Sequence, residues 1–263
     1  MQSMEFPLVL FTVLSQAAIG IALMGAVRVL AGPDGGDAQR QWRMVAGLMV
    51  AGLVASLFHL GHPTGAPNAL KHLASAWLSR EVLFAGLFMG LAVLAAIIAD
   101  KGGNPALALL GSVLGLALIL STGMTYAPPS YPAVNNALPT AFFLVSAVVL
   151  GAGFASWFAG EGRQPLLARI FATGLVVGLT LNLVAPCVWL SGGEVMRMTG
   201  QAWFGSGLYW AHMAVMAASL AVIWKTRTIP TWLPVLVLLG ELVGRAGFFA
   251  NTIHTAANMG ALY

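Results

Sequence analysis

Eight apolar runs, each close to the ~20 residues that a hydrocarbon core requires, divide this 263-residue chain, with short polar connectors between them. They lie at residues 6–31, 45–60, 78–99, 106–124, 140–158, 166–190, 208–224 and 232–251. Lipid offers no partner to a bare peptide group, so a spanning chain is either helical or a closed barrel. The period-two alternation of a barrel strand is missing here. The expected fold is therefore all-α: a polytopic membrane protein, a bundle of about eight transmembrane helices forming one integral membrane domain over residues 1–263. Composition agrees, since 8% of the residues are charged where a soluble domain carries roughly 25%.

The first run reads as a retained span. Met1-Gln2-Ser3-Met4-Glu5 has no basic n-region, and the apolar stretch after it is too long for a signal peptide's core. The net charge of +4 points to loop placement and not to nucleic acid, because basic residues mark the loops that stay in the cytoplasm. Arg28, Arg40, Arg43, Lys101, Arg163, Arg169, Lys225 and Arg227 fall on one side, against Lys71, Arg80 and Arg197 on the other, with Arg245 inside or near the last span. That asymmetry predicts both termini, and the loop from Ser56 to Glu81, on the non-cytoplasmic side.

The single cysteine, Cys187, reads as a small packing residue in the sixth span. It rules out a four-cysteine iron–sulfur or zinc site within this chain. Glycine pairs four apart, Gly86/Gly90, Gly111/Gly115, Gly174/Gly178 and Gly240/Gly244, are candidates for close helix contacts in lipid. Trp42, Trp77, Trp189, Trp203, Trp232 and Tyr263 fall near span ends, where interfacial aromatics belong.

Polar chemistry concentrates between the second and third runs. His59 stands at the end of the second, where Gly61 and Pro63 stop the helix. Its imidazole can exchange a proton near neutral pH, or it can simply hydrogen-bond the free carbonyls of that helix end. Ser79 is a plausible N-cap for the third helix, which would set Glu81, after Arg80, in the first turn. A carboxylate that reaches into a span is costly, and this depth is what favours a functional role. Glu241 and Arg245 stand four apart on the last span and read equally as a structural ion pair or as part of a site. His212 and His254 on the last two spans allow a haem without requiring one. A polar cluster at one membrane face suits a lipophilic, proton-coupled redox substrate such as a quinol, and suits a proton-coupled secondary transporter as well.

The run His59-Leu60-Gly61-His62-Pro63, with Asn68 and then Trp77-Leu78-Ser79-Arg80-Glu81, resembles the membrane-anchor subunit of the dimethyl sulfoxide reductase family of complex iron–sulfur molybdoenzymes. Phe6-Pro7-Leu8-Val9-Leu10-Phe11-Thr12, Pro132-Ala133-Val134-Asn135-Asn136 and Gly240-Glu241-Leu242-Val243-Gly244-Arg245 extend the likeness across nearly the whole chain. The resemblance implies an anchor that is not catalytic on its own. It would oxidise menaquinol, or another quinone's reduced form, in anaerobic respiration, with no haem, iron–sulfur cluster or molybdenum in this chain. Its implied partners are a subunit with four-iron clusters and a catalytic subunit with a molybdopterin cofactor, beside membrane lipid and the quinone pool. His59 matches the family's quinol-site histidine and Glu81 its nearby acidic residue. Gly61, Pro63, Ser79, Arg80, Glu241 and Arg245 complete the expected quinol site.

Trp77-Leu78-Ser79-Arg80-Glu81 and Thr122-Gly123-Met124-Thr125-Tyr126 are also similar to relatives that work in reverse, reducing quinone with electrons from sulfite. A passive tether is a third possibility.

Overall fold

The computed structural model describes residues 6–32, 35–58 and 63–256, the side chains of residues 63–67 excepted. All regular structure among them is helical. In chain order the elements are α1 (Phe6–Leu30), α2 (Ala38–Leu57), a 3-10 segment (Pro63–His72), α3 (Trp77–Ile98), α4 (Pro105–Thr125) and α5 (Leu138–Ala155). A short 3-10 turn (Glu161–Arg163) leads into α6 (Gln164–Leu190), followed by α7 (Glu194–Phe204), α8 (Gly207–Thr226) and α9 (Leu233–Asn251).

Seven of the described helices (α1, α3, α4, α5, α6, α8 and α9) are long and apolar enough to cross a membrane. The eighth long helix is α2, which begins seven residues earlier than the apolar pattern suggested, because Gln39, Arg40, Gln41 and Arg43 extend it. It packs against α1 and α3. The chain is a multi-pass, all-α membrane bundle. The 11-residue α7 has no counterpart in the hydropathy pattern; it is too short to span.

Local chemistry sets the helix starts. Asn104 caps α4 by accepting hydrogen bonds from the Ala106 and Leu107 N–H groups at 2.9 and 3.3 Å, and Pro105 gives up no needed donor there. Asp37 caps α2 by accepting from the Arg40 N–H at 2.9 Å. Ser79 does not cap α3. That helix starts at Trp77 after Ala76, with no side-chain cap, so Ser79 lies inside the first turn and Glu81 in the second.

The hub of the bundle is α1, buried on all sides by α2, α4, α5 and α9. Its crossing with α5 brings backbone onto backbone: a Cβ built on Gly20 would lie 1.8 Å from the Ala147 carbonyl oxygen, and one on Gly151 would lie 2.3 Å from the Gly20 carbonyl carbon. Glycine is the side chain that permits this approach. Among the paired glycines, Gly111 meets Trp42, Gly115 meets Ile19, Gly178 meets Met216 and Gly244 meets the His212 ring, whereas Gly86 and Gly90 face open space.

Cys187 is exposed on the outside of α6, whose inward face at this level carries Ala185 and Trp189. The packing role expected of it is not what the helix phase gives. Trp42, Trp189 and Trp203 are likewise buried rather than interfacial, and Trp189 and Trp203 stack edge to face at 4.9 Å. Trp232 does lie at the surface. Tyr263 is outside the described residues.

Hydrogen bonds between connectors define the two ends of the bundle. At one end the Asp37 N–H donates to Phe158 O and the Ala38 N–H to Lys101 O, while Arg163 donates to Ala31 O. At the other, the Thr255 N–H donates to Ser130 O, the Ile253 N–H to the Thr199 hydroxyl, and Asn251 to Ser206. Helix order places the starts of α3 and α5 and the ends of α4 and α9 at this second end.

Candidate functional site

The sequence expectation of one polar cluster resolves into two centres joined by an aromatic bridge. The first lies at the start of α3. Glu81 is 3% exposed. The Thr122 and Thr125 side chains of α4 face its carboxyl group, yet its Oε2 is buried with no hydrogen-bond partner among the described residues. A buried carboxyl oxygen in that state costs free energy, on the order of 1–3 kcal/mol or more, unless a group beyond the described residues completes it.

Ser79 is buried close by. Arg80 turns away toward the connector: Nε donates to Leu73 O at 2.9 Å, Nη2 to Ala74 O at 2.6 Å, and the guanidinium covers the Trp77 ring at 4.3 Å. It therefore pins the corner between the 3-10 segment and α3, and forms no ion pair with Glu81 among the described residues. Pro63 opens the 3-10 segment. His59 and Gly61 lie outside the described residues.

The second centre is deep in the bundle. Glu241 and Arg245 are the ninth and thirteenth residues of the 19-residue α9 and are 5% and 4% exposed. No direct ion pair joins them among the described residues. Ser146 of α5 lies between: its hydroxyl is 2.7 Å from Glu241 Oε2 and accepts from Arg245 Nη2 at 3.3 Å. Arg245 Nη2 also donates to Gln16 Oε1 of α1 at 2.8 Å, and its Cζ sits 3.9 Å from the centre of the Phe143 ring.

His212 of α8 lies against Gly244 and meets the Gly240 carbonyl through Nδ1 at 2.9 Å. Because a carbonyl only accepts, Nδ1 carries a proton in this contact. Ser146, Asn182, His212, Glu241 and Arg245 surround a cavity of about 30 Å³, room enough for one or two waters. Arg245 Nη1 and Gln16 Nε2 are buried without partners among the described residues.

The two centres belong to different neighbourhoods, since α3 packs on α2 and α4 while α9 packs on α8, α1 and α5. Tyr126, at the C-cap of α4 beside Thr125, bridges them. Its ring packs edge to face on Phe143 at 5.9 Å and on Phe249 at 5.2 Å. Next to it a cleft of about 200 Å³ opens between Thr125, Tyr126, Pro128, Tyr131, Phe249 and Thr252. His254 packs edge to face on Tyr131 at 5.0 Å; it follows α9 and is not part of that helix.

Hydropathy and charge do not reveal this cleft, nor do they reveal Gln16, Ser146 or Asn182. Those three are uncharged residues in apolar runs, and only tertiary packing brings them to the charged pair. The one hint in the sequence was Thr122–Tyr126, at the end of α4. No group of three or more histidine, cysteine, aspartate or glutamate side chains is placed to hold a metal ion among the described residues.

Over 288 residues the chain is 27% identical to the YnfH polypeptide of the anaerobic dimethyl sulfoxide reductase of Escherichia coli (strain K12), covering 97% of this chain and 96% of that protein. It is 32% identical over 157 residues to the C polypeptide of the anaerobic dimethyl sulfoxide reductase of Haemophilus influenzae, covering 56% of this chain and 55% of that one. A 97-residue stretch is 36% identical to the C polypeptide of the sulfite dehydrogenase of Allochromatium vinosum, covering 30% of this chain and 29% of that protein. The family model described as DMSO reductase anchor subunit (DmsC) matches residues 1–202, well over half of the sequence, and so the chain belongs to the DMSO reductase anchor subunit family.

Proposed function

We propose that this anchor oxidises a quinol, menaquinol or a close relative, at the membrane end that carries Glu81. It hands the two electrons to a partner subunit with four-iron clusters, which supplies a molybdopterin catalytic subunit. The chain works in a bacterial cytoplasmic membrane, and both termini and the Glu81 end face away from the cytoplasm, as the charge asymmetry between loops favours.

Glu81 supports this reading most directly. A carboxyl group buried in a span, with one oxygen unpartnered, is positioned to accept a hydrogen bond from a phenolic hydroxyl. Oxidation of the hydroquinone head releases two protons with its two electrons. His59 takes one from a ring hydroxyl, and Glu81 takes or relays the other toward water. Ser79 shapes the entry to the site, and Arg80 holds the corner that aims Glu81. The cleft beside Tyr126 and Tyr131 offers aromatic walls against which a flat ring packs well. Glu241, Arg245 and Ser146 fix the far side of that aromatic wall from within the bundle, through Phe143.

The test uses the complete complex. His59→Ala and Glu81→Gln should abolish quinol-dependent turnover while leaving the anchor assembled and activity with an artificial donor to the soluble subunits unchanged. Quinol-dependent turnover that survives either substitution would overturn the assignment, whereas equal loss of both activities would mark an assembly defect.

A second reading runs electrons the other way, from a sulfite-oxidising catalytic subunit into quinone. The stretch shared with the Allochromatium vinosum sulfite dehydrogenase polypeptide favours it. Sulfite-dependent reduction of a soluble quinone analogue by the purified complex would establish that direction.

A further inference from the structure

At the end of the bundle opposite Glu81, α6 and α8 part to leave a groove of about 350 Å³. Ala168, Ala172, Leu220 and Ile223 line its depth, and Arg169 and Arg227 stand at its mouth beside Trp224. This end is set by local structure. Arg227 ends α8 in the left-handed region (φ 59°), its N–H bonded to Ile223 O at 2.9 Å. The turn lays its guanidinium over the Trp224 ring at 4.8 Å. Trp224 is 71% exposed, an indole on the outer surface of a spanning helix at its last turn.

Neither Arg169 nor Arg227 has an ion-pair or hydrogen-bond partner for its side chain among the described residues. No carboxylate lines the groove. Two guanidiniums without a carboxylate partner at the mouth of an apolar slot match one kind of molecule: a negative head at the interface with a hydrocarbon tail below it.

We propose that this groove is a binding site for an anionic phospholipid. The phosphate lies between Arg169 and Arg227, where planar forks of donors suit its oxygens. Trp224 sits at headgroup level, and an acyl chain runs along the Ala168–Ala172 face of α6. A free anion would gain nothing from the apolar depth, and a zwitterionic lipid would bring its own cation against the two arginines.

The complex purified in mild detergent, with its native partners, tests this in two ways. Native mass spectrometry should find phosphatidylglycerol or cardiolipin retained on the anchor. The R169Q/R227Q double variant should bind on the order of 25-fold more weakly, at about fivefold per basic side chain, while R169K/R227K should keep most of the binding. Thermal stability of the unaltered complex should rise on adding phosphatidylglycerol but not phosphatidylcholine or inorganic phosphate, which keeps the test decisive if the glutamine variant fails to assemble. Equal retention by the glutamine variant, equal stabilisation by phosphatidylcholine, or stabilisation by inorganic phosphate would overturn the proposal. Quinol turnover is read separately, since it depends on the other end of the bundle.

Discussion

Glu241 and Arg245, one helical turn apart on α9, meet not each other but a shared hydroxyl, Ser146, 2.7 Å from the carboxylate and 3.3 Å from the guanidinium. A serine of α5 thus joins two buried charges of α9, and Gln16 carries the link on to α1. In a bundle with few polar groups, this ties three helices at mid-depth. Ser146→Ala leaves both charges short of a partner, which costs about 1–3 kcal/mol. Thermal denaturation of the detergent-purified complex should show that loss, and Ser146→Thr should recover most of it.

The charges themselves should be far more costly to remove singly than together. Glu241→Gln or Arg245→Gln strands a buried ion, at about 3–5 kcal/mol each. The double variant leaves no uncompensated charge, so its loss should fall well below the sum. A double-mutant cycle on thermal stability reads this coupling directly. A strictly additive result would mean that the two residues act independently, with Ser146 joining nothing.

A different constraint operates where α1 crosses α5. Gly20→Ala would push a methyl carbon to 1.8 Å from the Ala147 carbonyl oxygen, a backbone atom that cannot rotate away. The helices must separate, and overpacking of this kind costs about 1–3 kcal/mol or more. Gly86→Ala, by contrast, meets open space and should be neutral or slightly stabilising through helix propensity. Yield of assembled complex in membranes, compared for the two variants, checks both.

These glycines also mark what a sequence can and cannot convey. Long apolar runs announce helices because lipid permits little else, so the spans and the bundle were legible. Register between helices was not. Gly86/Gly90 fits the close-contact spacing and faces empty space, while Gly20 and Gly151, far apart in the chain, make the tightest crossing. Glu81 stood out because a lone carboxylate in a span is conspicuous, although its expected cap, Ser79, is not the start of α3. Glu241 and Arg245 were visible as charges, but their depth and the serine between them depend on where α5 lies. Cys187 was misplaced for a simpler reason: a small residue in an apolar helix carries no mark of which way it points. The 11-residue α7 escaped hydropathy because an amphipathic helix of that length looks like a loop.

Arg80 supplies a test of positioning as distinct from chemistry. Its guanidinium binds the Leu73 and Ala74 carbonyls and covers Trp77, so it sets the corner before Glu81 without touching the carboxyl. Arg80→Lys loses the fork of donors that serves both carbonyls and should raise the KM for quinol severalfold with kcat little changed. A fall in kcat with KM unchanged would instead place Arg80 at the reacting groups. Steady-state turnover against a range of quinol concentrations separates the two.

Phe248 and Phe249 are adjacent in sequence and both border the cleft, yet their substitutions should differ in what they cost the fold. Phe248 is 7% exposed and packs on Phe142, Phe143 and Trp203, so Phe248→Ala opens the core and costs about 3–5 kcal/mol. Phe249 packs on Tyr126 and forms a wall of the cleft. Phe249→Ala should leave stability largely intact and weaken a quinol-site inhibitor by roughly tenfold, the worth of one aromatic ring removed from a ring-binding surface. Inhibitor titration of quinol-dependent turnover, paired with thermal denaturation of the same preparations, distinguishes them. If Phe249→Ala changed stability alone, the cleft would be packing and the quinol head would have to sit elsewhere beside Glu81.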